Sequence, residues 1–330
     1  VIDVHTHIVP ESFPPYTGAA GETRWPGMAV CDKPNHKSVM IAGKNFRDVG
    51  DHAWDTARRL EEMAAEGVAR QVLSPMPELL SYWFAPEDGL TMARYLNETI
   101  AEMVQNQPDA LVGLGAVPLQ DPDLAAQEMG RLRKEYGLVG VEVGTNVNGK
   151  PIGHPDHAPF FAAAVEHDLA VFVHALHPAG MERLVGPPLM QALVAFPNEN
   201  SFAAASMISG GMLDKFPGLR IGFSHGAGSF AMVLPRLQHG WQAMGEKLFP
   251  RAPVDYAREM YYDTLVYDDG ALRHLIETYG VSQLMVGSVY PFIIREPNPG
   301  ERPAGLGLNA AELTAIHHGN CCRYLKLPSP

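Results

Sequence analysis

The feature that most constrains this chain is a rhythm repeated along its whole length. An apolar run rich in β-branched residues is followed by a longer stretch with helical periodicity. The runs are Val1–Ile8, Ala69–Ser74, Leu111–Pro118, Leu138–Gly144, Leu169–Ala175, Leu219–Ser224, Met260–Leu265 and Gln283–Gly287, eight in all. Several are apolar almost without a break, as parallel strands covered on both faces require. Between them, Asp55–Glu66 sets Ala57, Leu60, Met63 and Ala64 on one face, with Arg58, Arg59, Glu61 and Glu62 elsewhere. Asp121–Tyr136, Pro155–His167 and Asp269–Tyr279 carry the same pattern. Alternation of this kind predicts a parallel α/β fold. Eight units favour closure into a (β/α)8 TIM barrel over an open sheet. The 330 residues suffice for one barrel of about 250 residues plus insertions, so 1–330 is read as a single barrel domain.

One segment breaks the rhythm. Pro10–Asp51 carries Pro and Gly and few periodic apolar residues. It reads as a long loop, of the kind that is usually functional in a compact domain. Following the first strand, it would lie over the catalytic face and cover substrate.

Charge narrows the partners. The net charge is -12 and no Lys/Arg run occurs. That argues against nucleic acid and against anionic membrane surfaces. No apolar run reaches the ~18 residues of a membrane span, and no signal peptide precedes Val1. Cys31, Cys321 and Cys322 are odd in number and lack CxxC spacing. They read as reduced thiols of a cytoplasmic protein, not a disulfide framework.

The chemistry begins at Ile2-Asp3-Val4-His5-Thr6-His7-Ile8. Side chains alternate along a strand, so His5 and His7 share one face while Val4 and Ile8 are expected to pack outside. Two imidazoles converging at a strand end suit Zn²⁺ or a related divalent ion such as Mn²⁺. His174 closes the apolar run Ala170-Val171-Phe172-Val173, and His225 follows Ile221-Gly222-Phe223-Ser224. A barrel gathers such strand ends at its C-terminal face, so four histidines there predict a metal site. His177, three residues past His174, is a candidate substrate contact. His36, His52, His154, His157, His167, His239, His274, His317 and His318 lie in loop or helical contexts and read as surface residues.

Those histidines belong to a longer set of motifs. They include the HTHIVP opening, Gly43-Lys44-Asn45-Phe46-Arg47, Leu80-Ser81-Tyr82-Trp83, Ser224-His225-Gly226-Ala227-Gly228 and Tyr290-Pro291-Phe292. Together they resemble the amidohydrolase superfamily over nearly the whole chain. Within it they resemble aminocarboxymuconate-semialdehyde decarboxylase and related non-oxidative decarboxylases. The resemblance implies an amidohydrolase-type barrel in which His5, His7 and His174 hold the metal and His225 moves a proton. It implies that Arg47 clamps a substrate carboxylate, a role that the bidentate guanidinium fits. Phe46, Lys44, Trp83 and Phe292 fall in the same substrate-binding motifs. Arg236 matches an arginine contributed across a homodimer interface. The implied reaction is loss of CO2 from a small unsaturated, aromatic or heteroaromatic acid, in aromatic-compound catabolism.

Two departures stand out. Where the family has an aspartate in a GSDYPF-like motif, this chain reads Gly287-Ser288-Val289-Tyr290-Pro291-Phe292. Valine neither binds a metal nor accepts a proton, and Asp263 is not an obvious replacement ligand. With the rest of the site retained, this favours an inactivated variant over a natural member with altered chemistry. The family's tryptophan near position 192 and its Pro-Trp after the strand-five histidine are also missing; Ala192 and Ala175-Leu176-His177 stand there. A metal-dependent amide or lactone hydrolase, and a catalytically dead acid-binding barrel, remain alternatives to the decarboxylase.

Overall fold

Eight parallel strands hydrogen-bond in sequence order in the computed structural model, which describes residues 1–328. They are β1 (Ile2–Ile8), β2 (Arg70–Pro75), β3 (Leu111–Gly115), β4 (Gly140–Gly144), β5 (Ala170–His174), β6 (Ile221–Phe223), β7 (Tyr261–Asp263) and β8 (Leu284–Met285). Each expected strand is present, and the last three are shorter than the apolar runs suggest. Gln283, for example, ends a one-turn helix instead of starting β8. The sheet closes on itself past β8. Val4 N donates to Val286 O at 2.8 Å, Val289 N to His5 O at 2.9 Å and His7 N to Tyr290 O at 2.7 Å.

The helices of the repeat are α1 (Thr56–Ala65), α2 (Pro86–Asn106), α3 (Pro122–Lys134), α4 (Ala158–Glu166), α5 (Phe196–Ser209), α6 (Phe230–Met244), α7 (Asp269–Tyr279) and α8 (Asn320–Leu325). Among the described residues no helix is long and apolar enough to cross a membrane. The periodicity locates their ends through capping. The Asp55 carboxylate accepts from Ala57 N and Arg58 N, and that of Asp121 from Asp123 N and Leu124 N, satisfying amides that a helix start leaves unpaired. Pro155–His157 is a separate one-turn helix ahead of α4.

Two cores result. The larger packs strand residues such as Leu73, Val141, Val171 and Phe223 against helix residues such as Leu96, Met129, Phe160 and Leu272. The smaller fills the barrel interior with Ile2, Val4, Val72, Val112, Phe172, Tyr261 and Met285, stoppered by Cys321, Tyr324 and Leu325 of α8. Val4 therefore packs inside, contrary to the alternation argument. The pairing of β1 with β2 shifts register between Asp3 and Thr6, and an irregularity of that kind changes which face the side chains take. His157 is also buried, its Nδ1 3.0 Å from Ile152 O, because the turn before α4 folds in under the barrel wall.

Pro10–Asp51 is not a structureless loop. It builds a three-stranded antiparallel sheet from Gly27–Val30, His36–Ile41 and Lys44–Gly50. Ala42 and Gly43, both left-handed at φ 52° and 70°, make the two-residue turn between the last two strands, the geometry that matches strand twist. Mixed polar side chains on these short strands hid the pattern. Only Val39, Val49 and Gly50, with Ser38, are fully covered.

The segment after β6 is held in an unusual conformation. His225, Gly226, Ala227 and Gly228 all have φ between 56° and 59°. Left-handed backbone strains His225 and Ala227, and a side chain at Gly228 would sit 1.6 Å from Pro197 O at the start of α5. Gly228→Ala must push α5 away from the loop. It is expected to destabilise the fold by about 3 kcal/mol or more, checked by urea unfolding against the unaltered protein.

Candidate metal centre and substrate pocket

Four imidazoles meet at the C-terminal ends of β1, β5 and β6. Ring centroids of His5 lie 5.1 Å from His7, 5.0 Å from His174 and 5.1 Å from His225. His7 is 4.9 Å from His174, and His174 is 5.1 Å from His225. All four are buried.

Each ring is fixed through Nδ1. Asp263 Oδ2 is 2.6 Å from His5 Nδ1, Pro75 O is 3.1 Å from His7 Nδ1 and Ala175 O is 2.9 Å from His174 Nδ1. Carbonyl and carboxylate oxygens accept, so these Nδ1 atoms donate and Nε2 keeps its lone pair. The Nε2 atoms of His5, His7 and His174 are buried without a hydrogen-bond partner. Three sealed, unpaired acceptors at one place are costly to leave empty, and a divalent cation satisfies them. His225 differs. Its Nδ1 lies 2.8 Å from Ser224 Oγ and 3.1 Å from Asn200 Nδ2, and it lines the open pocket. Among the described residues, the ring nitrogens that lie within 4.8 Å of one another are those of His5, His174 and His225, so distance favours His225 as a ligand. The orphaned Nε2 atoms favour His7 as the third.

Electrostatics agree with a cation site. Burial, reinforced for three of the rings by their imidazole neighbours, holds His7, His174 and His225 well below the ordinary histidine value, and pushes His5 down to about 3. Burial raises Asp263, which His225 partly offsets, and raises Glu142 well above the usual carboxyl range.

Of the four, His174 and His225 reach a cavity of about 670 Å³, lined also by Phe46, Arg47, His177, Ala192, Val289 and Phe292, among others. Arg47 reaches it from the inserted sheet, its guanidinium 4.3 Å over the Phe292 ring, which in turn stacks on His7 at 5.2 Å. Burial lowers Arg47 and Glu78 raises it again. His177 hydrogen-bonds Glu78 Oε2 at 2.9 Å and stacks on Trp83 at 4.8 Å. Trp83 thus backs His177 instead of lining the cavity. Lys44 is exposed at the hairpin turn, outside the pocket, because strand alternation carries it beyond the covered end of its strand. Arg236 is exposed on α6 and borders a different groove, with Phe202 and Val233.

Asp263 has a larger part than its position suggests. Beyond orienting His5, its Oδ1 accepts from Gly226 N at 2.8 Å and from Leu265 N at 3.1 Å. Its signal in the sequence was a carboxylate closing an apolar strand, Tyr261-Tyr262-Asp263. Val289 sits with φ 59°, a conformation that penalises a β-branched side chain and that Asp or Asn tolerates.

Comparison with known proteins places this arrangement. The amidohydrolase family model matches residues 2–327. This chain belongs to the amidohydrolase family. Within it, the chain falls in the aminocarboxymuconate-semialdehyde decarboxylase-like branch. It is 36% identical over 304 residues to 2-amino-3-carboxymuconate-6-semialdehyde decarboxylase of Dictyostelium discoideum, covering 91% of this chain and 84% of that one. Gamma-resorcylate decarboxylase of Rhodococcus jostii (strain RHA1) is 28% identical, with 71% and 76% covered. The crystal structure of 5-carboxyvanillate decarboxylase LigW from Sphingomonas paucimobilis aligns with a TM-score of 0.74 at 28% identity, covering 83% and 84%.

The lowered histidine pKa values set a pH signature. Three exposed imidazoles of ordinary pKa 6.5 would lose on the order of 50-fold in metal affinity between pH 7.5 and 6, as protons displace the ion. Rings whose folded pKa lies well below 6.5 are already neutral at pH 6. Zn²⁺ titration by calorimetry is therefore expected to differ less than about threefold between the two pH values.

Proposed function

We propose that this chain is a metal-dependent carboxy-lyase fold whose pocket takes a small aromatic, heteroaromatic or unsaturated carboxylic acid. The observation that carries the reading is three buried Nε2 atoms without partners, on His5, His7 and His174, whose rings lie within 5.1 Å of one another, near a pocket that the half-buried Arg47 lines. These residues would hold a divalent ion, Zn²⁺ or Mn²⁺, with nitrogen ligands that suit either. When bound, the ion supplies Lewis-acid polarisation of a substrate oxygen. Arg47 binds the carboxylate and orients it, and Phe292 offers a flat apolar wall below the guanidinium. His225, open to the pocket, holds or passes a proton while CO2 departs. The decarboxylase names of the relatives support the same reaction class.

Val289 limits the chemistry. It occupies the turn after β8 with its amide bonded to His5 O, and offers neither a metal ligand nor a proton. The chain as written holds its substrate better than it converts it. Val289→Asp is expected to raise turnover by roughly 10²-fold or more, assayed as CO2 release across a panel of aromatic and unsaturated carboxylates. No gain on any of them, or a cleaved product without CO2, would overturn the carboxy-lyase reading, the latter in favour of hydrolysis. Arg47→Met is expected to weaken binding of a ring acid such as 2-hydroxybenzoate by about 10- to 100-fold, read by calorimetry on the Val289 protein.

The reading extends to assembly. Arg236 stands on α6 beside exposed Phe202, Met232 and Val233, a composition suited to a protein interface. In this proposal the chain is a homodimer in which Arg236 faces the partner's pocket, and it works in the cytoplasm, where its three free cysteines stay reduced. Light scattering is expected to give twice the chain mass, and Phe202→Glu to return it to one.

A further inference from the structure

One flank of the pocket carries two side chains that the proposed chemistry leaves without a part. His177 follows β5, and Glu78 sits in the one-turn helix Pro77–Leu80 after β2. Both line the cavity. Their contact, at 2.9 Å, uses His177 Nε2 and Glu78 Oε2, so His177 Nδ1 and Glu78 Oε1 remain.

His177 is exposed, yet it is held as a core residue would be. Its ring stacks on Trp83 at 4.8 Å and 14°, and Arg24 lies 4.0 Å over Trp83. Asn146 Nδ2 donates to Leu176 O at 2.8 Å and to His177 O at 3.4 Å. The His177 backbone is left-handed, with φ 43°. That state is strained, persists where the surroundings fix it, and collects at ligand clamps. Fixing a solvent-facing side chain adds nothing to the core. It does help a ligand-binding one, whose rotamer freedom is lost before the ligand arrives.

The donors and acceptors say what would bind. A carboxylate only accepts, so His177 Nε2 carries the proton of their contact. Nδ1 of the neutral ring and Oε1 of Glu78 are then both acceptors. Lys33 and Asp48, which also line the cavity, pair with each other at 2.8 Å. Arg47 and Glu78 are left to face a ligand, close enough for the Glu78 charge to raise Arg47. A carboxylate goes to the guanidinium, and like charge keeps it from Glu78. The flank at Glu78 suits a group that donates.

We propose that Glu78 and His177 form a specificity subsite for a hydrogen-bond donor. The donor is a hydroxyl or amine on the ring of the bound acid, other than the substituent that the ion would polarise. This subsite rests on the reading that Arg47 anchors a ring acid. An acid with no donor there strips water from two acceptors and leaves them unpaired.

Calorimetry at pH 8, with Zn²⁺ supplied, compares 3-hydroxybenzoate and 3-aminobenzoate with 3-fluorobenzoate, and then the 4-substituted series. Fluorine is close in size and donates nothing. In at least one series the donor acid is expected to bind about 10-fold more tightly than its fluoro partner. His177→Phe, which keeps a ring against Trp83, and Glu78→Leu each cut that ratio below about 3-fold. Arg47→Met weakens donor and fluoro acids alike. A ratio near one in the unaltered protein, or one that survives both variants, overturns the subsite and leaves the Arg47 reading standing. Equal losses for all acids in His177→Phe make the ring a stacking wall and overturn the subsite too. Should Glu78→Leu fail to fold, His177→Phe decides. No loss in Arg47→Met overturns the anchor instead, and the ratio still decides the subsite. No binding of any acid overturns both.

Discussion

The contact between Asp263 and His5 is the interaction on which the rest of the site depends. At 2.6 Å it turns the His5 ring and leaves Nε2 bare. The other oxygen of the same carboxylate takes the amides of Gly226 and Leu265. One buried side chain thereby ties β1, the loop carrying His225 and the exit of β7 together. The left-handed run from His225 to Gly228 is strained on its own, and this carboxylate is one of the forces that keep it in place. A charge this deep is costly unless it is fully hydrogen-bonded, and Asp263 meets that condition with three donors.

The pocket joins the ends of the barrel strands to parts of the chain outside the barrel. Its floor comes from strand ends, as the architecture dictates. Its walls come from the inserted sheet, through Phe46 and Arg47, and from the segments after β2 and β5, through Glu78 and His177. Two stacks brace those walls. Arg47 lies over Phe292 and Phe292 on His7, while Arg24 lies 4.0 Å over Trp83 and Trp83 on His177. Cation–aromatic contacts of this type each contribute about 0.5–2 kcal/mol. Here they also set where the guanidinium and imidazole point.

Much of this was legible from residue order because it depends on local pattern. Apolar runs marked all eight barrel strands, and the stretches of helical periodicity begin at Asp55 and Asp121, which the structure shows to be N-caps. His174 and His225 were legible because each closes or follows such a run. What escaped depends on geometry across the fold. Val4 packs inward because of a register shift that its neighbours do not announce. The inserted sheet buries too few side chains to leave an alternating signature. Nothing in residue order pairs Asp263 with His5, 258 residues away. Glu78 and His177, again on separate segments, meet only after closure. Lys44 stands three residues from Arg47, yet its place at the turn keeps it in solvent.

The seam of the barrel has a consequence of its own. Between β8 and β1 the sheet is held by few bonds, and they belong to Val4, His5, His7, Val286, Val289 and Tyr290. The seam of the cylinder therefore runs through the site itself. A ligand held by His5 and His7 of β1 and by His174 of β5 would tie strands from opposite sides of the barrel mouth, as a hoop holds staves.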